Sequence, residues 1–374
     1  MRSSLIDPKA YWVGFNFVKG IGAARLRALI QHFGSVETAW NASTEEIRAA
    51  GLGPKLTEAL NQVRAGVSLE LIWERLLDLG IQVLTWEDET YPTRLKEIDQ
   101  PPPVLYLRGE LQPEDEWAVA IVGTRGITAY GRQVTAEITS VLARRGVTVI
   151  SGLARGVDAE AHKAALGAGG RTLAVLGSGV DQIYPPEHRQ LADQIMASGA
   201  LISDYAPGTP PDGVNFPPRN RIISGLSLAV IIVEAGERSG AMITAEFAAD
   251  QGREVFAVPG NITAPKSVGC NRLIQQGARP LLAPEDVLEE LDLASFQQQR
   301  VARTVLPKDE VEARLLGVLS KEPMHVDEIR AQVDMPIEKV SATLALMELK
   351  GMVRQLGGMN YVAIREEADD YIVK

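Results

Sequence analysis

At 374 residues the chain is long enough for two or three domains, and 45% apolar with 23% charged residues is an ordinary globular composition. One cysteine, Cys270, excludes an internal disulfide framework, and without a secretory signal or a bilayer-length apolar stretch a cytoplasmic protein is expected. The net charge of −10 excludes less than it suggests, because it is unevenly spread.

Residues 1–124 hold 12 Lys/Arg against 17 Asp/Glu, and residues 285–374 hold 11 against 18. Residues 125–284 reverse the balance, with 15 against 13, and 13 of those 15 cations are arginine. Arginine suits bidentate phosphate contacts better than lysine does.

The first segment, 1–78, reads as short helices punctuated by Gly20-Ile21-Gly22 and Gly51-Leu52-Gly53. A tight Gly-x-Gly turn between two helices resembles the helix-hairpin-helix unit, and two in tandem resemble a compact SAM-like helical domain. Such hairpins can offer backbone N–H groups to DNA phosphates. Glu45, Glu46, Glu58 and Glu70 around the turns favour a scaffolding or interaction role instead.

The second segment, 79–293, alternates short apolar runs with helical patterns, the mark of a parallel sheet. Strands are predicted at 81–86, 104–108, 118–122, 147–150, 172–176, 200–203, 229–233 and 254–258, with helices over 131–145, 158–166 and 239–252 between them. The fold class is α/β, an extended Rossmann-like doubly wound sheet that is mostly parallel. Residues 294–308, polar and rich in glutamine, read as a linker. The last segment, 309–374, has three amphipathic helices at 311–319, 326–333 and 336–349. Two strands around Gly357-Gly358 follow, the makings of a winged helix. Its third helix carries Lys339 and Lys350 but also Glu338 and Glu348, thin electrostatics for duplex DNA.

In an open parallel sheet, ligands collect at the carboxyl ends of the strands. Here those ends carry Gly123-Thr124-Arg125-Gly126, Ser151-Gly152 with Arg155, Ser178-Gly179, and Ser239-Gly240. Glycine lets backbone N–H groups approach an anion, and serine or threonine adds a hydroxyl. One such turn is ordinary architecture, and G-x-G-x-x-G is absent after the first. Four together suggest several phosphates bound along an edge. The run 215–227 adds to them. Pro217 and Pro218 are read as excluding a helix until Arg219, which sets Arg219, Asn220 and Arg221 at a helix N-terminus. A plain basic helix cap is the alternative.

Asp158 and His162, four apart on one helix face, could serve acid–base chemistry or a metal, but no third ligand stands at useful spacing and Asp158 also suits a helix cap. Ser239 and Glu246 do not form a nucleophile–base pair, and no G-x-S-x-G elbow is present. No catalytic residue, metal or cofactor is expected.

Together the ordered motifs resemble the DprA/Smf family of bacterial DNA-processing proteins. They are the 120–125 run, 150–158 with His162, 175–181 with Tyr184-Pro185, the 215–227 run, Val233-Glu234-Ala235 with Ser239-Gly240, and 255–260. The resemblance implies binding of incoming single-stranded DNA during natural transformation, loading of the recombinase RecA onto it, and a homodimer formed through the Rossmann-like domain. It would place Arg125 on a phosphate, with Ser151, Gly152, Arg155, Ser178 and Gly179 lining the groove. Phe216, Arg219, Asn220 and Arg221 would add an aromatic contact and backbone clamps. It would place Asn271, Ile274, Ala278 and Leu281 near the dimer surface. A rival from another class is a phosphoribohydrolase-like enzyme on nucleotides, with Glu234, Ser239-Gly240, Thr244 and Glu246 in its layout, although Ala235-Gly236-Glu237 stands where a Pro-Gly-Gly turn would be. A pure adaptor using its helical ends is a third reading.

Overall fold

The computed structural model describes residues 6–291, 310–319, 323–333, 335–349 and 353–363. They fall into two compact units, divided between Leu291 and Asp292. The expected linker at 294–308 lies outside the described residues, as do Lys350, Gly351 and Met352.

The first unit is built on a nine-stranded sheet. Its strands are β1 (Gln82–Thr85), β2 (Val104–Gly109), β3 (Ala118–Val122), β4 (Thr148–Ser151), β5 (Thr172–Val175), β6 (Ala200–Ser203), β7 (Ala229–Ile232), β8 (Glu254–Ala257) and β9 (Arg279–Pro280). The order is β1-β2-β6-β5-β4-β3-β7-β8-β9. From β6 across to β9 all pairings are parallel, while β2 runs antiparallel to β6 and β1 antiparallel to β2. All eight predicted strands are present, two with the expected bounds and the others differing by one residue at one or both ends. The short edge strand β9 is the one the sequence reading missed.

Strands β3 to β7 are buried along their whole length because helices cover both faces. Alternation along β2 sorts its side chains between two cores. Val104 and Tyr106 join one with Ala174 and Leu201, whereas Leu105 and Leu107 join the other with Leu173, Val175 and Ile202.

The core containing Tyr106 continues directly into the N-terminal helices, through Trp12, Phe15, Leu26, Trp40, Leu60 and Leu76. Polar contacts reinforce the join. Tyr106 donates its hydroxyl hydrogen to Asn16 Oδ1 at 3.0 Å, Lys9 pairs with Asp88 at 2.6 Å, and Trp12 meets Trp86 edge-on at 5.7 Å. The expected boundary at residue 78 is therefore no break between separate cores. Both Gly-x-Gly turns join helices as predicted, Gly20 and Gly51 taking positive φ angles that favour glycine. Ile21 and Leu52, at the centres of these turns, are buried.

In the second unit the helices Glu310–Val318, Val326–Val333 and Ile337–Leu349 enclose a core of Leu315, Ile329, Val340, Leu344 and Met347. A three-stranded sheet joins β10 (Met324–His325), β11 (Val353–Gln355) and β12 (Asn360–Ala363) in the order β10-β12-β11. This is a winged helix. Ala342, Ala345 and Leu346 lie on the exposed face of its third helix, among Glu338, Lys339 and Glu348.

Candidate functional site

After β6 the chain returns past β3 to start β7 on its other side, so the strand order reverses between β3 and β7. A crevice opens at the carboxyl ends of the strands at such a switch point. Here it is a cleft of about 630 Å³. Gly123 and Arg125 follow β3, and Ser239, Gly240 and Thr244 follow β7. Phe216, Arg219 and Asn220 close it from the helix Phe216–Gly225.

Two guanidiniums lie close to the Phe216 ring. The ring centroid is 5.6 Å from Cζ of Arg125 and 5.9 Å from Cζ of Arg219, within cation–π range. Tyr184, half-exposed on the cleft wall, tilts against the same ring at 5.7 Å. Arg125 is exposed, whereas Arg219 is only 4% exposed. Arg219 donates from Nη1 to the carbonyls of Gly152 and Val175 and from Nε to Asn220 Oδ1. Burial lowers its pKa to about 10, which leaves it charged at neutral pH.

The helix Phe216–Gly225 corrects one expectation. Both prolines fall inside its first turn, where proline is tolerated because the missing N–H groups would lack helical partners. The first turn thus has two fewer donors for an anion, and the positive charge of this wall resides in side chains. Arg221 turns away from the cleft. It pairs with Asp204 at 2.8 Å and donates to the carbonyls of Gln100 and Pro218.

The glycine-rich turns also differ from the expected phosphate cradles. Gly152 and Ala154 donate their N–H groups to the Asp158 carboxylate, Gly179 donates to Thr209 O, and Thr124 donates to Glu234 O. Ser151 and Ser178 are buried, their hydroxyls bonded to the carbonyls of Ile121 and Gln182. These glycines serve close packing. A Cβ on Gly156 would stand 2.2 Å from Thr124 O, and one on Gly177 would stand 2.7 Å from Cδ1 of Phe216. Gly240 differs, since nothing lies within 4 Å of its absent Cβ. It starts the helix Gly240–Asp250, whose positive dipole end faces the cleft. Arg155 does not line the cleft; it is exposed and paired with Glu187 at 2.6 Å.

The model of the DNA recombination-mediator protein A family matches residues 82–292, and that of the DprA winged helix domain matches residues 300–359. The chain belongs to the DNA recombination-mediator protein A family. It is 37% identical to Protein Smf of Synechocystis, over 94% of this chain and 98% of that one. DNA processing protein A from Streptococcus pneumoniae has a TM-score of 0.65 at 31% identity, covering 75% of this chain and 97% of that chain. DNA processing protein A from Helicobacter pylori, whose structure describes its single-stranded DNA binding mode, has a TM-score of 0.52 at 30% identity. That match covers 56% of this chain and 95% of that one.

The titratable groups near the cleft are held by structural partners. His162 is fully buried with Nδ1 2.7 Å from Thr172 Oγ1, and burial drives its pKa down to about 3. Burial also raises the Asp158 carboxyl above its ordinary range, against the opposing pull of Arg219. Glu246 is exposed and does not line the cleft. Glu234 is buried and bonded to Thr128. Among the described residues, no group of three or more His, Cys, Asp or Glu could hold a metal ion, and no helix is long and apolar enough to cross a membrane.

The residues expected at a dimer surface face largely inward. Leu281 is buried, with its N–H bonded to Ala257 O, and Asn271 bonds both the N–H and the carbonyl of Gly260. Ile274 and Ala278 pack against the core. Exposed large apolar side chains in the neighbouring sequence are Ile262, Val268 and Leu282. The sequence reading missed Thr128, which caps the helix Ala129–Arg144 by accepting from Gly131 N at 3.0 Å. The spacing Thr-x-x-Gly was its only local signal. It also missed Tyr184 as a cleft residue.

Proposed function

We propose that this protein is a non-catalytic, sequence-independent binder of single-stranded DNA. On this reading it protects incoming strands during natural transformation and loads RecA onto them. The observation that carries the proposal is Phe216 beside Arg125 and Arg219 in an open cleft at the switch point. An aromatic face can stack any base, and guanidiniums can follow any backbone, so the pair selects a strand without reading its sequence. The single-stranded DNA binding of the Helicobacter pylori relative, and family membership as a recombination mediator, support the same reading. The exposure of Glu246 away from the cleft argues against the phosphoribohydrolase-like alternative.

The working form is proposed to be a cytoplasmic homodimer, with Leu282, Ile262 and the edge strand β9 offering exposed surface near the expected contact. Binding of the full chain to labelled oligonucleotides of unrelated sequence tests the core of the proposal. Similar affinities across sequences, falling steeply with salt, are expected. Strong preference for one sequence, or affinity indifferent to salt, would overturn it. RecA loading is tested separately, by RecA filament formation on strands precoated with a single-strand binding protein.

A further inference from the structure

A second cavity, of about 580 Å³, lies beyond the loop that carries Arg125. Thr128, Tyr130, Glu234, Asn261, Lys266 and Ser267 line it. The two sites share that loop as a wall. Arg125 faces the first cleft, and Gly126, the next residue, accepts a hydrogen bond from Lys266 Nζ in the second. We propose that this cavity is a second nucleotide subsite that receives a base of the same single strand. The inference rests on the proposed strand-binding role of the first cleft.

The chemistry of the lining fixes which part of a nucleotide enters. Tyr130 is 51% exposed, and its ring is steadied by the hydroxyl donating to Pro259 O at 3.3 Å. It offers an aromatic face at little further cost in side-chain freedom. The Glu234 carboxylate accepts one bond at each oxygen from Thr128, which leaves a further lone pair on each. A carboxylate repels a phosphate but can accept from a base N–H. Lys266, at the loop, supplies the charge for the backbone. The base therefore enters toward Tyr130 and Glu234, and the phosphate stays between Arg125 and Lys266.

Anisotropy titrations of the full-length protein with oligothymidylates, from dinucleotides upward, test the subsite. The shortest strands should bind the parent and Tyr130→Ala alike. Once strands reach the second cavity, parent affinity should step up, and Tyr130→Ala should lose roughly five- to a hundredfold, the range for one base–aromatic stack. Tyr130→Phe should retain the step, and Lys266→Gln should flatten the salt slope on strands that reach the second cavity by about one. Equal losses on short and long strands, or none on either, would overturn the subsite while the first cleft stands. If the parent bound no strand of any length, both readings would fall.

Discussion

Thr128 and Glu234 are joined twice, through the backbone N–H to Oε2 at 2.9 Å and the hydroxyl to Oε1 at 2.5 Å. The Glu234 carbonyl also accepts from Thr124 N at 2.7 Å. One residue at the end of β7 thus fastens both ends of the loop that carries Arg125. Glu234→Ala would leave buried donors unmet, so about 1–3 kcal/mol of stability should be lost. Oligonucleotide affinity should fall as well, although Glu234 carries the wrong charge to bind a phosphate. Denaturant titration and binding measured on the same sample check both effects.

Arg125 and Arg221 should separate cleanly. Arg125→Ala should weaken binding to all sequences alike and reduce the salt slope by about one, with stability unchanged because the side chain is exposed. Arg221→Ala should leave that slope intact and lower stability by roughly 3 kcal/mol, because Asp204 loses its cation in a half-buried site. Plots of log affinity against log salt for the two variants distinguish these outcomes.

Gly177→Ala tests the seat of Phe216. The added methyl would stand 2.7 Å from the ring, which must then shift from its place beside the guanidiniums. A loss of about tenfold in oligonucleotide affinity is expected, together with about 1–3 kcal/mol of overpacking cost. Gly240→Ala, where nothing lies close, should leave stability nearly unchanged in the same denaturation experiment.

His162 makes folding sensitive to acid. Burial holds the folded imidazole neutral down to about pH 3, against an ordinary value of 6.5 in the unfolded chain. Between these values the unfolded chain binds a proton that the folded chain refuses. The His162 contribution is therefore complete above pH 6.5 and lost as pH falls, at about 1.4 kcal/mol per pH unit. Asp158, with its raised folded pKa, works in the opposite direction and is common to both chains. The difference in stability between His162→Gln and the parent should shrink from pH 7 to pH 5.

The strands were legible because fully buried parallel strands leave short apolar runs bounded by glycine, and Ala118–Val122 and Ala200–Ser203 fall where predicted. The cleft was legible as a set of residue types, and Gly123, Arg125, Phe216, Arg219, Asn220, Ser239 and Gly240 converge in it. Their individual roles were less legible. Whether a glycine cradles an anion or admits a neighbouring side chain depends on what tertiary packing places opposite it, as Phe216 lies opposite Gly177. Arg219 and Arg221 are two residues apart and face different partners, a distinction that depends on where the helix begins. The prolines were read as preceding that helix, and they open it.

The core shared by the N-terminal helices and the sheet bears on how oligomeric state can be measured. A fragment starting at residue 79 would expose Val83, Val104 and Tyr106 on the face of β1 and β2 where the first helix now packs. An apolar surface of that kind associates with itself. Self-association of such a fragment would therefore report an unroofed sheet and not the native pairing of two subunits. Only a chain that keeps its first helices can be weighed meaningfully in solution.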